Sequence, residues 1–349
     1  MASRVTLRDI AKTVGVSTAT VSHALNGRLD QVSHRTARLV IQAARELGYT
    51  GKIAAPPYRS AHASIAVITS ELHSPLHMAA LYGIEESARR FDFGMYVRRS
   101  DLDQSTGESA VGWFLERDVD GIIFVLSSQR GVSTEEFGIA AESDVPIVVI
   151  NRVIDTQRAL HIVPQNEQGS YLATQHLINL GHQRIGCIHL PVTSPMATQA
   201  GEERLRGFER ALRYFGIEPN KEWMRQGSLG PDAGFATGYT SIEELLSLSE
   251  GPTAVVCGSD QLALGAMKAA REHNLAIPKD LAIVGYDDSP SAAHVHPALS
   301  SVRQPMYEAG QRAMEALIEH LWRGRSLQGV EQLPCKLIVR ASTTLQVLR

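Results

Sequence analysis

Cysteine is scarce in this chain: its 349 residues hold three, Cys187, Cys257 and Cys335. They are far apart, odd in number and without C-x-x-C spacing, which excludes a disulfide framework and a thiolate zinc site. Each lies in an apolar, strand-like context and reads as a small core residue. Long apolar runs are missing as well. No stretch approaches the roughly 20 residues that a membrane helix needs. The N-terminal residues are polar and charged, without the apolar segment of a secretory signal, so a cytoplasmic location is expected. A nucleophile elbow, a phosphate-cradling glycine loop and a zinc-binding helix are all absent, so no enzyme is expected. His73 and His77, and His294 and His296, have no carboxylate or cysteine partner at ligand spacing and read as loop residues. Neither a metal nor a cofactor is expected.

Charge is unevenly spread. Residues 1–60 hold nine Lys or Arg against three acids, a net of +6. The whole chain is −3, so the remainder carries −9. A basic module on an acidic body is the electrostatic footprint of a nucleic-acid reader joined to something else.

The basic segment begins with VTLRDIAKTVGVSTATVSHALNG, residues 5–27. Thr6 can cap a first helix, with Asp9 three residues on. Leu7, Ile10, Ala11 and Val14 recur at helical spacing. Gly15 supplies the positive φ that a chain leaving a helix often needs. Ser17 can cap a second helix, in which Val21, Ala24 and Leu25 face inward. Small Ala11, turning Gly15 and buried Val21 stand at the spacing of a helix-turn-helix. Thr18, Ala19, Ser22 and His23 are left on the outer face, the one a recognition helix presents to the major groove. The alternative is a plain helical hairpin. The basic surroundings favour DNA. A third helix runs from Ser33 to Leu47, with Arg35, Arg38 and Arg45 outside, where they could meet phosphates.

Residues 51–63 read as a linker, because Pro56-Pro57 forbids a continuous helix there. From Ser64 the texture changes. SIAVITS, DGIIFVLSS, PIVVIN, RIGCIHL, TAVVCGS and LAIVGYDD are continuous apolar strands separated by helical segments. Continuous runs mean strands covered on both faces. Their alternation with helices means parallel, doubly wound sheets. The pattern restarts near residue 163, so two similar α/β lobes are expected. Open α/β sheets bind ligands at their carboxyl strand ends. Ser127, Ser259-Asp260 and Asp287-Asp288 end strands, and Arg204 opens a helix. Asp260 directly precedes a helix and is expected to cap it. Asp287, opposite an arginine, is expected to meet ligand.

The N-terminal module, NLGHQRIGCIHL, ERLRGF, CGSDQLALGAMKAA, IPKDLAIVGYDDSP and HPALSSVRQP together resemble the LacI/GalR family of bacterial transcription regulators. The resemblance covers nearly the whole chain. It implies a helix-turn-helix headpiece (1–50), a hinge (51–63) and a two-lobed, periplasmic-binding-protein-like effector domain (64–349). Within that domain the first lobe is expected at about 64–162 and 296–323, the second at about 163–295 and 324–349. It implies a homodimer reading a pseudo-palindromic operator on double-stranded DNA. A small-molecule effector, a sugar or related metabolite, would bind between the lobes. The chain ends soon after its last strand, without room for a heptad helix, so a dimer rather than a tethered tetramer is expected.

The DNA-facing set is then Thr6, Ser17, Thr18, Ala19, Thr20, Ser22, His23, Asn26 and Arg28, with Tyr58 in the hinge. The resemblance places the base-reading positions on Thr18, Ala19 and His23. It places the effector positions on Leu76, His77, Ser127, Arg204, Ser259 and Asp287. Three departures stand out. The hinge has two prolines, with Tyr58 where the family has a wedge leucine. Ser259-Asp260 replaces Asn-Asp, and Asn151-Arg152 replaces Asp-Arg. A rival reading, a solute-binding or sensor protein of the same two-lobed shape without a DNA role, leaves the basic helix-turn-helix unexplained.

Overall fold

The computed structural model describes residues 5–26, 31–32, 34–51, 63–69, 71–99, 109–126, 134–192, 198–228 and 232–344. Arg28, Pro56-Pro57, Tyr58 and Ser127 lie outside the described residues, as do the side chains of Arg35, Arg38 and Arg45.

Three helices open the chain: α1 (Leu7–Val14), α2 (Thr18–Leu25) and α3 (His34–Glu46). Thr6 and Asp9 form a reciprocal capping box on α1, which satisfies two of the amides a helix start leaves orphaned. Gly15 ends α1 at φ 76°, a left-handed conformation that costs a glycine nothing. Ser17 caps α2 through the Thr20 amide at 3.0 Å. Ile10, Ala11, Val21, Ala24 and Leu25 bury against Val40, Ile41 and Ala44 of α3, so one small apolar core serves all three helices.

The first lobe follows: β1 (Ser64–Thr69), α4 (Pro75–Arg90), β2 (Gly94–Arg99), α5 (Ala110–Leu115), β3 (Gly121–Val125), α6 (Thr134–Glu142), β4 (Ile147–Ile150) and β5 (Ala159–Pro164). The second comprises α7 (Asn166–Asn179), β6 (Ile185–His189), α8 (Gln199–Tyr214), β7 (Met224–Gln226), α9 (Ala233–Leu246), β8 (Ala254–Cys257), α10 (Asp260–Glu272), β9 (Ala282–Asp287), α11 (Pro290–His294) and β10 (Ser300–Arg303). The chain returns through α12 (Met306–Arg323), β11 (Gly329–Leu333) and β12 (Lys336–Ile338).

The two sheets have the orders β11-β5-β4-β3-β1-β2 and β12-β10-β9-β8-β6-β7. Every pairing in the first is parallel; in the second only β12 runs antiparallel, against β10. Each sheet is covered on both faces, the first by α4 and α12 on one side and α5 and α6 on the other. The second is covered by α7 and α8 on one side and α9 and α10 on the other. That double cover is why the strands read as unbroken apolar runs.

The lobe limits need one correction. Residues 300–303, placed in the first lobe from sequence, form β10 of the second sheet, and 329–333, placed in the second, form β11 of the first. The chain therefore crosses between sheets at 164–166, 303–306 and 333–336. The Gln165 amide donates to the Leu333 carbonyl at 2.8 Å and ties two of these crossings together. β5, β10 and β11 escape a reading by apolar runs because they are interrupted or edge strands: ALHIVP carries His161, SSVR two serines, and GVEQL a glutamate and a glutamine.

Helix pairs approach closely at glycines. A Cβ on Gly207 of α8 would collide with the Glu167 carbonyl of α7. Gly207→Ala should therefore force α8 away from α7 and lower stability by about 1–3 kcal/mol. Urea unfolding checks this; an unchanged midpoint would mean that the helices have room to spare.

Candidate effector cleft and nucleic-acid interface

On the headpiece, Thr18 and Ala19 are exposed in the first turn of α2, and Ser22 and His23 are half-buried on the next. Thr6, Ser17 and Thr20 spend hydroxyl capacity on caps, and Asn26 donates to the Ser22 carbonyl at 2.8 Å. The second helix thus carries a short outer face of small polar groups beside an apolar inner one. An α-helix fits the major groove, and such a face can reach base edges there.

In the second lobe a different constellation forms at the strand ends. Arg204 lies one turn into α8, four residues before buried Phe208, on the helix face that meets the sheet. Its guanidinium is 8% exposed. Nη1 donates to the Gly258 carbonyl at 2.6 Å and Nε to Asn166 Oδ1 at 3.0 Å. The plane lies over the Tyr286 ring at 3.7 Å, a cation–π contact that gains strength where water is excluded. Asp287 Oδ1 stands 3.7 Å from Nη1 and accepts from Gln304 Nε2 at 2.7 Å. Tyr286 Oη donates to the Asn166 carbonyl at 3.3 Å. Arg204, the Gly258-Ser259 strand end and Asp287 are therefore assembled in one place, with Asn166 and Gln304 from two inter-sheet crossings.

The cap of α10 is Ser259, not Asp260 as expected. Ser259 is the N-cap of α10, its Oγ accepting from the Leu262 amide at 3.3 Å. Asp260 is the first helical residue, and its carboxylate reaches across to β10 and the turn after β9. It accepts from Ser301 Oγ at 2.6 Å and the Ser289 amide at 2.6 Å. A side chain at Gly285 would occupy the place of Asp260 Oδ1, which gives the glycine of the G-Y-D motif its physical reason. Burial pushes the carboxyls of Asp260 and Asp287 up, the nearby Asp287 charge adding to the shift at Asp260 and Arg204 opposing it at Asp287. Asp288 is balanced separately, by Arg303 at 2.7 Å and Arg340 at 2.6 Å.

The first lobe contributes less than expected. Leu76 packs partly against the core of that lobe. His77 is 2% exposed. Its Nδ1 faces Thr69 Oγ1 at 3.0 Å and its ring meets the Glu71 backbone, so the imidazole holds the end of β1 onto α4. Asn151 ends β4 at φ 72° and donates Nδ2 to the Leu126 carbonyl at 2.9 Å. Two residues on, the Val153 amide donates to Gln199 Oε1 of α8 at 3.1 Å, joining the lobes. Sequence reasoning passed over Asn166, Tyr286 and Gln304; the only signals were their places two residues after Pro164, inside G-Y-D and beside Pro305. Among the described residues, no three His, Cys, Asp or Glu converge as metal ligands, and no helix is long and apolar enough to cross a membrane.

Burial holds the His77 imidazole down to about 4 from an ordinary 6.5. A base depressed by folding contributes stability that is complete above its unfolded value and is lost as pH falls toward the folded one. His77→Asn should therefore lose less stability than the wild type between pH 6.5 and 4, the difference approaching about 3 kcal/mol. Parallel unfolding curves for the two proteins across that range would mean that the imidazole is free to charge in the folded state.

Known proteins share both parts of this arrangement. Residues 6–51 match the family described as bacterial regulatory proteins, lacI family, and residues 174–343 match a periplasmic binding protein-like domain. The HTH-type transcriptional repressor PurR of Edwardsiella ictaluri is 30% identical over 340 residues, 97% of this chain and 96% of that protein. The transcriptional regulator CelR in its cellobiose complex superposes with a TM-score of 0.69 at 28% identity, covering 97% of this chain and all of that one. The lac repressor dimer bound to operator and the anti-inducer ONPF gives 0.68 at 28% identity over 98% of this chain and all of that one. With a helix-turn-helix at one end, two doubly wound sheets behind it and relatives of matching length throughout, the chain belongs to the LacI family of DNA-binding, non-enzymatic transcriptional repressors.

Proposed function

We propose that the protein is a homodimer whose grip on a pseudo-palindromic operator is set by a small molecule held at the Arg204–Asp287 end of the cleft between its lobes. The observation that carries this reading is the union of two features. One is a recognition helix with Thr18 and Ala19 exposed. The other is a buried arginine–carboxylate pair at strand ends, bonded to the crossings between the sheets. Thr18, Ala19 and His23 read bases; Ala19 offers only an apolar contact, suited to a thymine methyl. Thr6, Ser17, Thr20, Ser22 and Asn26 meet the backbone, with Arg28 and Tyr58 completing the set. The effector is a sugar or a related metabolite, and the protein acts in the cytoplasm, where the operator is.

The coupling is a shift between lobe arrangements. A ligand moves such an equilibrium only by its differential affinity for the two states. Asn166 and Gln304 sit in the crossings and bond directly to Arg204 and Asp287. A ligand seated on the charged pair therefore acts on the segments about which the lobes turn.

Two substitutions test the two ends separately. His23→Ala should relax specificity at a single base pair, with a loss of discrimination of about 1–3 kcal/mol; an operator-variant binding profile identical to the wild type would place the reading face elsewhere. Asp287→Asn preserves shape and removes charge. It should weaken the effector response about tenfold while operator affinity without effector stays at the wild-type level. A wild-type response in a gel-shift or anisotropy titration would move the effector site away from this pair.

A further inference from the structure

His161 leaves one polar atom unmatched at the edge of the first sheet. It is the third residue of β5, and its neighbours Leu160 and Ile162 turn into the core under α4 and α12. Alternation along a strand puts the imidazole on the opposite face, the side of α5 and α6. The residue is 2% exposed. Its Nδ1 faces the Gly329 carbonyl of β11 at 3.2 Å. A carbonyl only accepts, so Nδ1 carries the proton and Nε2 is a bare acceptor. Nε2 is buried and has no hydrogen-bond partner. Burial lowers the pKa of the ring, which keeps it neutral and leaves that lone pair available. Buried side-chain polar atoms are ordinarily matched, so one left open asks for a reason.

A cavity of about 370 Å³ lies against this ring, within the size range of small-molecule sites. Val153, Ile154 and Asp155, from the loop after β4, form one wall, and Val330 of β11 stands opposite, 51% exposed. None of the described lining residues comes from α5 or α6, the helices that cover the rest of this face. Gln199 of α8 closes one end, and its amide is committed at both atoms. Oε1 accepts from the Val153 amide at 3.1 Å, and Nε2 donates to Glu203 Oε1 at 3.0 Å. Thr156 Oγ1 already accepts from the Arg158 amide at 3.1 Å. What stays open is His161 Nε2 at the base and the exposed Asp155 carboxylate at the rim, which has no partner among the described residues. Both are acceptors, and no Lys or Arg is among the described lining residues. The place is not the Arg204–Asp287 cluster. His161 and Gly329 stand in the first halves of their strands, away from the carboxyl ends, and the cavity shares no described lining residue with that cluster.

We infer that this cavity is a second ligand site, independent of the Arg204–Asp287 cleft, for a small organic amine with an apolar body. The ammonium donates an N–H to His161 Nε2 and is balanced by the Asp155 carboxylate, a pairing stronger than one between neutral groups. The apolar body covers Val153, Ile154 and Val330. A carboxylate in the same position would meet a lone pair and a like charge. The occupant also lies against both partners of the Val153–Gln199 bond, one from each lobe.

The test titrates the full chain calorimetrically with phenethylamine, tyramine and tryptamine, beside phenylacetate, 4-hydroxyphenylacetate and indole-3-acetate. The expected result is that at least one amine binds, its carboxylate counterpart binding at least about tenfold more weakly. His161→Asn keeps a donor for the Gly329 carbonyl and removes the Nε2 acceptor; it should weaken the amine about tenfold. Asp155→Asn removes only the rim charge and should weaken it about threefold. Asp155 is exposed, so that variant folds even if the His161 change does not. Asp287→Asn, at the other site, should leave amine affinity at the wild-type level. An amine panel without a binder, a carboxylate binding as well as its amine, or wild-type affinity in either folded variant at this cavity would overturn the inference. So would loss of amine binding in Asp287→Asn, which would put the amine in the cleft.

Discussion

A guanidinium withdrawn from water must find acceptors, and the second lobe is arranged around meeting that demand for Arg204. One acceptor comes from the end of β8, one from Asn166 at the first crossing, and a carboxylate from the end of β9, while Tyr286 covers the face. An isolated buried charge costs far more than any single bond returns. The strand ends, the crossing and α8 must therefore keep their mutual positions. Gly207 lets α8 lie close enough to α7 for Arg204 to reach Asn166, and Gly285 leaves room for Asp260. Gly207 is a requirement of helix packing, and Gly285 one of the Asp260 carboxylate beside it.

The same arrangement links chemistry to motion. Each crossing between the sheets carries a residue bonded into the charged cluster: Asn166 on Arg204, Gln304 on Asp287, and Cys335 beside the Tyr286 hydroxyl at 3.6 Å. Here they share hydrogen bonds with a buried ion pair at the strand ends, so the charged cluster and the segments that join the lobes are held together. The headpiece is built on another logic. Its core is a handful of small and branched apolar side chains, and its ends are closed by local caps from Thr6 and Ser17. Thr18 and Ala19, exposed on the first turn of α2, belong to neither, whereas at the strand ends of the second lobe the same polar groups hold several elements together.

Much of this could be read in the residues. The headpiece depends on local signals, and Thr6, Gly15 and Ser17 serve as the caps and turn that their types and spacing imply. The two parallel sheets follow from unbroken apolar runs alternating with helices, since only strands covered on both faces tolerate such runs. Arg204 and Asp287 stand out because each lies in a motif at the edge of a helix or strand. Residues whose value depends on distant partners were invisible. Gln304 sits 17 positions from Asp287 and Asn166 sits 38 from Arg204, and nothing in either local sequence announces the bond.

A basic helix-turn-helix on an acidic, doubly wound α/β body is legible in the residues alone, because caps, periodicity and charge act over a few residues and do not depend on the rest. Three-dimensional packing settles the rest: which sheet each late strand joins, that Ser259 rather than Asp260 caps α10, that His77 faces inward, and that Asn151 and Gln304 each keep a buried amide oxygen without a partner. Those outcomes depend on which groups are brought together after the chain has crossed between lobes. Hydrogen-bond satisfaction in a buried site is an account that closes only when every neighbour is in place.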